Sequence, residues 1–147
     1  MTITRDNCKI INTRDVYLHD DIIEQINYDC DTKQLTFLVT KAVMNFTYKI
    51  CFFDVAGFEA SACDYWGGGG FGILDFHLEV ENCTLLSKLL SKTKNLPVEY
   101  ERCRGLRNGK FFEVKFVFFS GDTLRIVAKS IWIEDVLIDE TTGWEFS

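Results

Sequence analysis

Asp75, His77 and Glu79 stand two residues apart, and Glu81 continues the series. In an extended strand, residues at i and i+2 point to one face, so these side chains can converge on one metal ion, with Glu81 as a further ligand. The chemistry would be metal-dependent hydrolysis, a metal-bound water serving as nucleophile and a carboxylate as base. A solvent-facing polar row has the same pattern and is far commoner.

Leu18-His19-Asp20-Asp21 is a second constellation, since a histidine beside two carboxylates has the makings of a general base. It comes with no identifiable nucleophile, and Asp20 and Asp21 equally suit a turn before a strand. Trp66-Gly67-Gly68-Gly69-Gly70-Phe71-Gly72 contains the glycine spacing of a dinucleotide fingerprint. That fingerprint must follow a strand and open a helix, whereas a strand follows here, and no Lys-Ser or Lys-Thr completes a phosphate loop. The run reads instead as a mobile loop whose Trp66 and Phe71 are candidate contact residues for a partner or ligand. Cys8, Cys30, Cys51, Cys63, Cys83 and Cys103 contain no Cys-x-x-Cys pair. They read as reduced, mostly buried thiols rather than a zinc ribbon or redox site.

The elements that must position these residues are mostly strands. Ile22, Ile26 and Tyr28 share a period-2 face broken by Glu24, and Leu35, Phe37 and Val39 alternate with Thr36 and Thr40. Asp29-Cys30-Asp31-Thr32-Lys33 between them has turn chemistry, which predicts a hairpin. Residues 45–55 predict a third strand with Phe46, Tyr48, Ile50 and Phe52 on one face. Residues 73–81 predict another, with Leu74, Phe76, Leu78 and Val80 inward and Asp75, His77, Glu79 and Glu81 outward.

Leu85, Leu86, Leu89 and Leu90 make one apolar helical face over 84–94, with Asn82 or Thr84 placed to cap it and Asn95 and Pro97 to end it. Residues 98–104 resume as a strand, and Asn108-Gly109 predicts a type I′ turn into residue 111. Phe112, Val114, Phe116 and Phe118 then occupy one face, with Glu113 and Lys115 on the other. Ser120-Gly121-Asp122 turns the chain into a strand over 123–131, completing a three-stranded meander. Burying these side chains at about 1.5 to 3 kcal/mol each places the meander at the centre of the core.

The expected architecture is mainly β (α+β): a single antiparallel sheet or sandwich of seven to eight strands in hairpins, with one short helix, all in one domain over 1–147. At 147 residues the chain is long enough to bury a core without staples. Its 22 acidic and 16 basic residues give a net charge of -6, which argues against a nucleic-acid surface and suits a basic partner. The absence of a signal-like start and of any span-length apolar run predicts a cytoplasmic protein off the membrane.

Leu18-His19-Asp20, followed by Ile23, Ile26, Tyr28 and Leu35, resembles the opening of many small uncharacterised bacterial proteins, and Gly121-Asp122-Thr123-Leu124 with Ile126 resembles their late hairpin. The resemblance implies a mainly β domain, in some cases similar to immunity proteins, which neutralise a toxin by binding it. It assigns no catalytic residue. The leading expectation is a non-enzymatic protein-binding domain without a cofactor. The alternatives are a small-ligand or metal-binding β domain with a hydrolytic His77, and a homodimer formed along a strand edge.

Overall fold

The computed structural model describes residues 1–9, 11, 16–41, 44, 46–61, 72–94, 96–97 and 105–134. Among them nine strands form two antiparallel sheets. The first contains β1 (Thr2–Thr4), β9 (Ser130–Ile133), β4 (Thr47–Phe53), β3 (Gln34–Thr40) and β2 (Ile22–Asp29), in that spatial order. The second contains β5 (Gly57–Ala60), β8 (Thr123–Ala128), β7 (Phe112–Phe118) and β6 (Ile73–Glu79). One helix, α1 (Thr84–Thr93), packs on the outer face of the second sheet. No helix among the described residues is long and apolar enough to cross a membrane.

Alternation produces the sandwich. In β3, Leu35, Phe37 and Val39 are fully buried and pair with Phe52, Ile50 and Tyr48 of β4. The β2–β3 turn forms because Asp29 Oδ1 accepts the N–H groups of Asp31 and Thr32, at 2.9 and 3.3 Å. In β7, Phe112, Val114, Phe116 and Phe118 all face the other sheet. The Phe116 ring lies 5.6 Å from Phe37 and 5.1 Å from Phe76, centre to centre, so it joins both sheets.

Three expectations about strand phase need correction. Residues 123–131 are not one strand: the chain leaves the second sheet at Lys129 and enters the first at Ser130. The inward residues are Leu124, Ile126 and Ala128 before that corner and Ile131 and Ile133 after it. That change of parity is what a bend between packed sheets requires. Ile22 does not share a face with Ile26 and Tyr28, because a bulge at Glu24 breaks the register between Ile23 and Gln25. Ile23 is therefore the buried residue, opposite Val39. A second bulge, between Ile73 and Asp75, turns Leu74 outward and buries Ile73.

The helix forms where expected, but neither Asn82 nor Thr84 caps it. Cys83 is its N-cap and provides no side-chain hydrogen bond to the helix's first turn. The completely buried Glu113 of β7 supplies a carboxylate instead, accepting the Leu86 N–H at 2.9 Å. Glu113 thus faces not solvent but the helix, over a smaller apolar cluster of Leu85, Leu86, Leu89, Leu106, Phe111 and Val127. The expected strand at 98–104 lies outside the described residues, as does Asn45. Residues 105–107 are helical, and only Gly109 of the Asn108-Gly109 pair has positive φ, at 70°. The pair therefore ends a helical turn rather than forming a type I′ hairpin turn.

The sheets are stitched at both sides. On one side β8 passes into β9. On the other Ile22 bridges Gly72, Asp20 donates its N–H to the Ile73 carbonyl at 2.8 Å, and Ile73 donates to that of Asp21 at 2.8 Å. The second stitch carries the candidate site.

Candidate functional site

The segment before β2 reaches this stitch in an unusual backbone state: Asp20 has φ of 71°, the left-handed region that aspartate tolerates better than most residues. Its neighbour Asp21 is buried and fixes the segment from below. Asp21 Oδ2 accepts the Tyr48 hydroxyl at 2.5 Å and pairs with Lys41 Nζ at 3.2 Å. Lys41 also donates to the Tyr17 carbonyl at 2.8 Å, and its ammonium lies 5.8 Å from the centre of the Tyr17 ring. Burial, and then the Asp21 carboxylate beside it, hold the Tyr48 hydroxyl neutral far above the usual tyrosine range. Asp21 is consequently an anchor with its oxygens directed inward, while Asp20 remains at the surface.

Above this anchor, His19 Nδ1 lies 2.9 Å from the Leu74 carbonyl, and Nε2 lies 3.4 Å from Asp20 Oδ1. A carbonyl only accepts, so a hydrogen bond there is donated by Nδ1. The His19 ring stands between Tyr17 and Phe119, with centre separations of 6.0 and 5.5 Å. Phe119 is held by its own N–H, which donates to the Gly72 carbonyl at 3.0 Å. A Cβ on Gly72 would come within 3.1 Å of the Phe119 ring, so glycine there lets the ring lie against the strand.

The bulge at Leu74 brings the other sequence constellation to the same place. Asp75 Oδ1 accepts the Phe76 N–H at 2.9 Å, and Oδ2 pairs with His77 Nε2 at 2.8 Å. Between Val16–His19 on one wall and Leu74–Phe76 on the other lies an open cleft of about 410 Å³. His19 thus lines this cleft and His77 lies 2.8 Å from its wall residue Asp75, so each histidine of the chain stands beside an aspartate.

Glu79 does not join them. It lies opposite Glu113 across the β6–β7 ladder, with Oε2 3.7 Å from Arg125 Nη1 and without a hydrogen bond. Cys83 donates its thiol to the Glu79 carbonyl at 3.2 Å, and burial, then the charges of Glu113 and Glu79, push that thiol up to about 11. Among the described residues no three His, Cys, Asp or Glu side chains are grouped to hold a metal ion. The row therefore divides into an Asp75–His77 pair at the cleft and a Glu79–Glu113–Arg125 cluster by the helix. Trp66 and Phe71 lie outside the described residues, whereas Gly72, at the end of their run, bridges Ile22 and accepts the Phe119 N–H.

The sequence matches no protein-family profile and no curated protein. Among solved structures the chain is similar to that of an uncharacterized protein from Neisseria gonorrhoeae, at 14% identity with a TM-score of 0.36, over 80% of this chain and 93% of that one. A likeness at that level carries no argument about either fold or function.

Reasoning from sequence missed the aromatic part of the site. Tyr17, Phe119 and Leu74 are 60%, 54% and 43% exposed, which is high for large apolar side chains. The available signal was a break in pattern: Phe119 extends the run 116–118 beyond its alternation, and Leu74 follows the buried Ile73 out of phase. Chemically the arrangement offers flat apolar rings and two half-exposed carboxylates, Asp20 and Asp75, on a rigid base.

Proposed function

We propose that this chain is a protein-binding domain that engages a basic partner through the cleft lined by Tyr17, His19, Leu74 and Asp75, with Phe119 against the His19 ring beside it. The observation that carries this reading is the ridge of exposed rings, Tyr17–His19–Phe119, flanked by carboxylates and mounted on the buried Asp21–Tyr48 contact. Exposed aromatic side chains held in place by their surroundings are the usual centres of protein interfaces, because they bury much area at little entropic cost. Neighbouring carboxylates and a net charge of -6 favour encounter with a positively charged surface. An immunity-like role, neutralising a basic toxin by tight binding, is the form of this reading that best suits a small acidic domain. Cys8, Cys30, Cys51 and Cys83 are free thiols, which suits a reducing compartment such as the cytoplasm.

In this reading the Asp75–His77 pair is a polar rim rather than a hydrolytic centre, since Glu79 is engaged elsewhere. Site-directed photocrosslinking in the native cell tests the proposal. A crosslinking residue in place of Tyr17 should capture a discrete basic protein, while one in place of the distant Phe58 should not. Equal capture at both positions, or none at position 17, would refute it.

A further inference from the structure

We infer that the cleft between Tyr17–His19 and Leu74–Phe76 receives an arginine side chain of the partner, an inference that rests on the protein-binding reading. The acceptor is Asp75. Oδ1 takes a hydrogen bond from the Phe76 N–H, and Oδ2 lies 2.8 Å from His77 Nε2. A carboxylate oxygen has two acceptor positions, so one remains on each oxygen. These two contacts hold the carboxylate in place, and a held carboxylate with an acceptor position on each oxygen matches the parallel donors of a guanidinium fork. Asp75 is half-exposed, so an incoming group can reach it.

The walls fit the same ligand. Tyr17 and His19 line the cleft, and a guanidinium stacks on flat rings in a way that an ammonium, more strongly hydrated and not planar, does not. Tyr17 already has the Lys41 ammonium over its ring, so the chain itself places a cation against this aromatic group. Leu74, turned outward by the bulge, offers an apolar surface for the methylene stem. Asp20, 3.4 Å from His19 Nε2, adds a second negative charge beside this wall. At about 410 Å³ the cleft has room for one long side chain with the water it retains.

The test uses the intact protein and small probes, so it does not depend on knowing the partner. N-acetyl-arginine amide, titrated while amide and aromatic NMR signals are followed, should produce saturable shifts at Tyr17, His19, Leu74 and Asp75. N-acetyl-lysine amide should bind about fivefold more weakly, and the neutral isostere N-acetyl-citrulline amide more weakly still. Asp75→Asn keeps the acceptor for the Phe76 N–H and removes the charge. It should abolish the preference for arginine over citrulline while leaving the spectrum outside the cleft unchanged. Raising the salt concentration should weaken arginine binding and leave citrulline binding unaltered. Equal binding of arginine, lysine and citrulline probes, shifts confined to residues away from the cleft, or no saturable shifts with arginine would each overturn the inference. None of those results alters the crosslinking outcome at position 17, so the two ideas fail separately.

Discussion

The hydroxyl of Tyr48 donates to the carboxylate of Asp21 at 2.5 Å, with both side chains buried, directly beneath the segment that carries Tyr17, His19 and Asp20. This contact ties the centre of the first sheet to the edge where the sheets meet. Tyr48→Phe removes this donor from the Asp21 carboxylate. Loss of a hydrogen bond to a buried carboxylate costs about 1 to 3 kcal/mol. Urea denaturation should show a loss of that size, and amide exchange should quicken at residues 17–21 more than in β3 or β7.

The same pair gives alkaline pH a defined effect. The folded Tyr48 hydroxyl loses its proton far above its ordinary value because of burial and the Asp21 charge. Its stabilisation is therefore complete below about pH 10, where unfolded tyrosine begins to ionise, and is lost as pH rises above that point. Between about pH 10 and 12 the wild type should lose roughly 1.4 kcal/mol more per pH unit than Tyr48→Phe. Parallel slopes in urea denaturation across that range would contradict the assignment.

Glu113 should be the most sensitive charged residue. It accepts the Leu86 N–H through Oε1 and pairs with Arg125 through Oε2 at 2.7 Å, while completely buried. Glu113→Ala would leave Arg125 without its close partner and should cost about 3 to 5 kcal/mol, with faster exchange at Leu86. Glu113→Gln retains an acceptor for Leu86 and should cost less. Comparison of the two by chemical denaturation separates the role as a helix acceptor from the ion pair.

Phe116 joins the two sheets through Phe37 and Phe76, so Phe116→Ala should cost about 3 to 5 kcal/mol and Phe116→Asp should abolish the folded state. Circular dichroism during heating distinguishes a lowered transition from none.

The hairpins were legible because alternation was strong where it mattered: Leu35, Phe37 and Val39 on β3 and Phe112 to Phe118 on β7 read directly as inward faces. Alternation specifies parity, however, not where parity changes. The bulges at Glu24 and Leu74 and the corner at Lys129 each insert a residue that composition does not announce, so alternation alone points Leu74 inward and continues β8 into β9. Alternation puts Glu113 on the face opposite Phe112 and Val114, but it does not show that this face is covered, because the covering helix comes from an earlier part of the chain. The candidate site was partly legible. His19–Asp20 and Asp75–His77 each stood out, but their common location depends on the hydrogen bond from His19 to Leu74, across 55 residues, which local pattern cannot encode. Tyr17 carries no motif and Phe119 only a break in alternation, and their exposure in the fold is what marks them.

The most direct measurement is the affinity of the purified crosslinked partner for the wild type and for the double variant Tyr17→Ala, Phe119→Ala, by titration calorimetry. Both side chains are more than half exposed, so the unfolding midpoint should hardly move. Binding should weaken by at least about tenfold, as truncation of two interface anchors requires. Unchanged affinity in a folded double variant would contradict the account.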